Sequence, residues 1–116
     1  MSRRTEVCFL IAADGEVLWS ERSGSSTAMP DSRARWEAIW ANRDELAVIA
    51  HSHPYGPLAF SAVDETTMAA LDAALGRPLR YAVVAPDGVT YRGPGFSQEL
   101  SQENWVARMR DESGMV

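Results

Sequence analysis

Only two histidines occur in the 116 residues, and they stand together as His51-Ser52-His53 at the end of an apolar run. In an extended strand, residues two apart project from the same face, so both imidazoles can reach one cation. Alone, such a pair is equally compatible with strand-end histidines that are merely hydrogen-bonded. Asp64 adds a third group. On a helix starting after Ser61, positions 64, 68, 71 and 75 share one face and read Asp, Met, Leu, Leu. The carboxylate then sits at the N-terminal end of the stripe that must face the core. A charge there is costly unless it meets a cation or hydrogen-bond donors. The competing reading is a capping box, because Ser61-x-x-Asp64 fits the Ser-x-x-acid pattern. Capping accounts for Ser61 but only partly for the apolar-face placement of Asp64, and says nothing of the two histidines just upstream.

Two imidazoles and a carboxylate make a three-ligand zinc set, His51, His53 and Asp64, with a fourth position left for water. Zinc at such an open site lowers the pKa of water toward about 7 and polarises a carbonyl. The chemistry also needs a general base from elsewhere in the chain, and Glu6, Glu16, Glu21, Glu37 and Glu45 are the candidates. Glu6 is favoured because it opens a buried strand and can stand at the edge of a pocket. A solvated charge ahead of the first strand is the competing explanation for it.

These residues must be positioned by the elements around them. Val7-Cys-Phe-Leu-Ile-Ala-Ala reads as a buried strand, turned at Asp14-Gly15 into a return strand, Glu16-Val-Leu-Trp-Ser. Arg22–Pro30 is polar and small, a loop. Asp31 or Ser32 can cap a helix on which Trp36, Ile39, Trp40 and Arg43 follow helical spacing. Leu46 to His53 is a second buried strand, closed by Pro54 and Gly56-Pro57. The helix after Ser61 must stop near Gly76-Arg-Pro. Arg80–Pro86 and Val89-Thr-Tyr-Arg form a hairpin around Asp87-Gly88, and Glu99 to about Arg110 is an amphipathic helix carrying Trp105, Val106 and Met109. The order β-β-α-β-α-β-β-α implies an α/β fold, a mixed sheet covered by helices, in a single domain over residues 1–116.

His51-Ser52-His53-Pro54, six further residues, then Ser61-Ala-Val-Asp64 resembles the signature of the JAMM (JAB/MPN) zinc metalloproteases. The resemblance extends to an upstream Glu, often in the context Glu-x-Cys-Gly, matched here by Glu6-Val-Cys8-Phe9 with Phe9 in place of glycine. It covers most of the chain, from Glu6 to the hairpin near Tyr91. It implies the MPN fold, a mixed sheet flanked by helices and similar to that of cytidine deaminases. It also implies His51, His53 and Asp64 as zinc ligands and Glu6 as the base that activates water and returns a proton to the leaving amine. Ser61 is implied as a hydrogen-bond donor to the catalytic water or developing oxyanion. Two features depart from the family: no helix precedes Glu6, and the large insertions that shape ubiquitin recognition in eukaryotic relatives are absent. Cys8 reads as a buried packing residue, and the four tryptophans fit core, sheet-face or helix-face positions without a ligand.

The function so implied is a peptidase or isopeptidase acting on the tail of a ubiquitin-like or sulfur-carrier-like protein, the tail adding to a sheet edge. Tyr55–Phe60 and Arg22–Pro30 would wall that groove. Another small amide or peptide substrate is an alternative, as is a catalytically silent interaction module. Scaffold relatives generally lack the ligands, whereas all five motif positions are intact here. A barrel amidohydrolase needs about 250 residues, and a zinc deaminase needs a Pro-Cys-x-x-Cys that this chain lacks. One cysteine excludes an internal disulfide or a multi-cysteine metal site. A net charge of −5 with no basic cluster beyond Arg3-Arg4 speaks against nucleic acid, and no run is long enough to span a bilayer. The N-terminal residues lack a signal-peptide pattern, so a cytoplasmic protein is expected.

Overall fold

Strand and helix periods alternate along the chain in the expected order. A computed structural model describes residues 4–24, 32–94 and 104–115. Its elements are β1 (Val7–Ala12), β2 (Val17–Arg22), α1 (Arg33–Ala41), β3 (Leu46–Ser52), α2 (Ala62–Leu75), β4 (Arg80–Ala85), β5 (Gly88–Arg92) and α3 (Asn104–Ser113). The strands form one mixed sheet in the order β2-β1-β3-β4-β5. β1 pairs antiparallel with both β2 and β3, β3 pairs parallel with β4, and β4 pairs antiparallel with β5. The parallel β3–β4 pair needs a crossover, which α2 provides.

Two-residue periodicity divides β1 and β3 between two cores. Val7, Phe9, Ile11, Val48 and Ala50 point to one face, where they pack with Trp105, Val106 and Met109 of α3. Cys8, Leu10 and Ile49 point to the other, where they meet Ile39 of α1 and Met68 and Leu71 of α2. Both faces are covered, so β1 is apolar throughout and shows no alternation in its sequence. The stripe expected on α2 is therefore real: Met68 and Leu71 are buried and Leu75 packs against them.

The ends of α2 are set by its sequence. Ser61 caps the first turn, and Gly76 ends the helix in the left-handed region at φ 70°, where glycine carries no Cβ penalty. Ser32 caps α1, accepting a hydrogen bond from Arg35 N. The residues spaced along α1 do not all turn inward. Ile39 is buried, but Trp36 and Trp40 are exposed and Arg35 is buried in their place. Helical spacing identified a face without saying which way it turned. Arg35 tolerates burial because its guanidinium meets the Glu21 carboxylate at 3.2 Å. The Trp40 ring is instead capped by the Arg43 guanidinium, 4.3 Å from its centroid. The start expected for the last helix, at Glu99, and most of the expected Arg22–Pro30 loop lie outside the described residues. Among those residues, no helix is long and apolar enough to cross a membrane.

Candidate metal centre

Antiparallel pairing of β1 with β3 sets Cys8 opposite His51. Continuing that register by two residues sets Glu6 alongside His53, on the same face of the sheet. That face is the one α2 crosses, and the first turn of α2 carries Asp64. β1 and the β3–α2 passage, far apart in sequence, thus deliver four potential ligands to one end of the sheet.

Their atoms converge. His51 Nε2 and His53 Nε2 are 3.1 Å apart, and Asp64 Oδ2 lies 3.3 Å from the first and 3.7 Å from the second. Ligands on a tetrahedral zinc at about 2.0–2.1 Å stand about 3.3–3.4 Å from one another. The three separations bracket that value. Glu6 joins the same cluster, with its carboxylate and the two imidazoles each offering a ligand atom within 4.8 Å of the others. His53 is oriented for ligation, since its Nδ1 lies 2.9 Å from Pro57 O, to which it donates. A neutral imidazole that donates through Nδ1 presents a lone pair at Nε2, the atom that faces His51 and Asp64. The residues present therefore fit a zinc ion in kind, number and spacing.

Asp64 stands where both of the readings that the sequence presented as rivals would put it. Its Oδ2 accepts from Ser61 N at 2.7 Å and Ser61 Oγ accepts from Asp64 N at 3.0 Å, a complete capping box. The same Oδ2 faces both histidines. Burial works against its ionisation, but the His51 imidazole and the Ser61 hydrogen bonds outweigh that and bring its pKa down to about 2. A helix N-terminus favours the same charge. Ser61 is exposed, and both its backbone N–H and its side chain act on the Asp64 carboxylate.

Glu6 is only 5% exposed, which settles its two readings against a solvated charge. Burial raises its pKa to about 7; His53 pulls the value down and Asp64 pushes it further up. The sign of the resulting pH dependence is fixed. Between about pH 4.5 and 7 the native state holds a proton that the unfolded chain has released, so stability falls as pH rises through that window. We expect chemical denaturation of chelator-treated protein to show a loss of about 3 kcal/mol from this group between pH 4 and pH 8. Glu6→Gln should match wild type at pH 4 and be the more stable at pH 8. Parallel pH profiles for the two proteins would contradict the burial of this carboxylate.

None of the other candidate bases reaches the cluster. Glu21 is taken by Arg35, Glu37 pairs with Arg33 at 2.7 Å on the outer face of α1, and Glu16 and Glu45 are exposed. Cys8 is buried, and burial pushes its thiol up to about 12, against a smaller opposing pull from Arg35. It is a packing residue of the kind expected.

One group of residues at the site had no signal in the sequence. Ser52, between the two histidines, points to the opposite face, where its Oγ accepts from Val7 N at 2.9 Å. Ser52 and Ser113 hydroxyls are 2.8 Å apart, and Ser113 Oγ donates to Thr5 O. Because Ser113 donates there, its oxygen must accept from Ser52, giving a directed chain from Val7 N through both hydroxyls to Thr5 O. The two backbone groups it holds flank Glu6. Ser113 and Ser52 are fully buried, so each bond is one whose loss leaves an unsatisfied partner, at about 1–3 kcal/mol. Arg4 braces the other side, donating to Pro54 O at 2.9 Å with its guanidinium over the Tyr55 ring.

Comparison with protein families gives a match over residues 2–94 to the model described as prokaryotic homologs of the JAB domain. That span contains Glu6, Ser52, both histidines, Ser61 and Asp64, and stops short of α3. No curated protein matches the chain.

Proposed function

The chain belongs to the prokaryotic JAB-domain family, and from that premise we propose that it is a zinc-dependent amide hydrolase. The observation that carries the proposal is the convergence of His51, His53 and Asp64 at mutual separations of 3.1–3.7 Å beside a buried Glu6. Zinc bound there supplies a Lewis acid that polarises the scissile carbonyl and acidifies a water molecule.

The remaining steps belong to the chain's own groups. Glu6, buried beside the two imidazoles, is placed to accept a proton from the attacking water. As the water oxygen bonds to the carbonyl carbon and the C–N bond breaks, Glu6 passes that proton to the departing amine nitrogen. Product carboxylate and ammonium balance the substrate amide plus one water, both water protons ending on the departing nitrogen. Ser61, exposed at the N-terminus of α2, would turn its hydroxyl from Asp64 toward the oxygen on which negative charge develops. The Ser52–Ser113 chain keeps β1 seated against β3 and so holds Glu6 in reach of the cluster.

The substrate class we propose is the one the motif's resemblance implies, an amide made by the tail of a ubiquitin-like or sulfur-carrier-like protein or by a shorter peptide. We expect elemental analysis of protein purified without chelator to find about one zinc per chain. The zinc-loaded protein should cleave a tail-linked fusion or isopeptide, and chelation should stop it. A protein that holds no metal and takes up none when zinc is added would refute the site. Stoichiometric zinc without cleavage of any tail-linked substrate would favour an interaction module on the same fold.

A further inference from the structure

A cavity of about 220 Å³ opens beside the metal cluster, with His51 and Asp64 in its lining. Ile49, Met68 and Leu71 line its inner part, and Trp36, Phe60 and Val63 also contribute to its walls. A cavity of about 150 Å³ with such a lining accommodates a benzene ring, so the space suffices for a large side chain. Two of its polar groups are already engaged: the Tyr81 hydroxyl donates to Asp72 at 2.7 Å, and the Arg35 guanidinium pairs with Glu21. Nothing in the lining offers a free charge to a polar occupant, and the walls favour an apolar one.

The cavity's place fixes which side of the bond it serves. Glu6 and His53 do not line it, whereas His51 and Asp64 do. Cys8, opposite His51, and Ile49, two residues before it on the same face, carry the cavity inward along β1 and β3, away from Glu6. The departing amine must lie against Glu6 to receive its proton. The residue supplying the carbonyl is therefore the one directed inward. We propose that this cavity receives a bulky apolar side chain, aromatic or branched aliphatic, of the residue that contributes the scissile carbonyl. The proposal rests on the amide-hydrolase reading of the metal cluster and selects among its substrates: it favours the shorter peptide over any tail whose carbonyl comes from glycine, which leaves the cavity unfilled.

Hydroxamates of N-acetylated amino acids test this without turnover, because the hydroxamate chelates zinc while the side chain occupies the carbonyl-side position. Calorimetry on zinc-loaded protein should show the phenylalanine and leucine compounds binding about 10- to 100-fold more tightly than the glycine compound. Thr67→Phe places a ring in the cavity from α2, and Val63→Trp covers it from an exposed position; either should bring that ratio toward one. Equal binding of all three compounds to wild type would overturn the cavity proposal and leave the metal reading standing. A preference that survives both variants would overturn it as well, since the side chain would then sit elsewhere. If zinc is not held, or no hydroxamate binds the zinc-loaded protein, the metal reading fails and takes the proposal with it.

Discussion

Glu6→Gln is expected to leave zinc in place and to slow amide hydrolysis by about 10²–10⁴, the largest change that any substitution outside the three ligands should produce. Glutamine keeps the size and hydrogen-bonding reach of the side chain but cannot take a proton from water or return one to nitrogen. The buried position of Glu6 makes the exchange conservative for folding, since at 5% exposure the neutral amide is easier to bury than the carboxylate. Loss of rate and gain of stability above neutral pH should therefore appear in the same variant, a combination that general damage to the fold does not produce. Rates on a tail-linked substrate, together with zinc content, give the answer. A variant that is zinc-loaded and as fast as wild type would remove Glu6 from the proton pathway. No other glutamate considered as a base stands near enough to replace it. Zinc that leaves with the carboxylate would instead make Glu6 a ligand, a role its distance to both imidazoles permits.

What the sequence disclosed at this site follows the distances between the residues along the chain. His51, His53 and Asp64 lie within one strand–loop–helix passage, so strand and helix periodicity alone set them on converging faces. Glu6 is 45 residues from His51, and its closeness comes from the β1–β3 register. Residue chemistry alone favoured a solvated charge at Glu6, and only the resemblance to a known motif singled it out as the base. Ser52 looked like a spacer between two ligands; its role depends on Ser113, 61 residues away on a helix that packs against the other face. No local pattern reports such a pairing. Which face of α1 is buried was not legible for a related reason. Arg35 is buried because Glu21, on β2, is there to meet it, and a one-dimensional pattern counts an arginine as exposed. The order of elements was legible throughout because buried runs, turn residues and caps are local signals, as at Asp14-Gly15, Ser61 and Gly76. The cavity was not, because it is the space left where α1, α2 and the sheet fail to meet completely.

Substitutions at Asp64 and Ser61 should separate the two roles that one carboxylate plays. Asp64→Ala removes both the ligand facing His51 and His53 and the acceptor for Ser61 N. It is expected to abolish stoichiometric zinc binding and to cost about 1 kcal/mol of stability through the lost cap. Ser61→Ala removes the reciprocal acceptor for Asp64 N and leaves the carboxylate's view of the histidines intact. It should cost a similar amount of stability, keep zinc, and lower the rate if its hydroxyl serves the developing charge. Asp64→Asn is the sharpest of the three. Its amide oxygen can still accept from Ser61 N, so the cap and the helix start survive, while the negative charge that offsets a dication is gone. Zinc affinity should fall with stability nearly unchanged. Zinc titration and denaturant melts on the metal-free variants read the two effects independently, since capping acts on the helix whether or not metal is present. If Asp64→Ala still binds zinc stoichiometrically, the metal is held by His51, His53 and Glu6, and Asp64 is a cap that lies near it. If Asp64→Asn loses stability as fully as Asp64→Ala, the charge itself is what the first turn of α2 requires. The macrodipole and the two imidazoles would then be its principal partners.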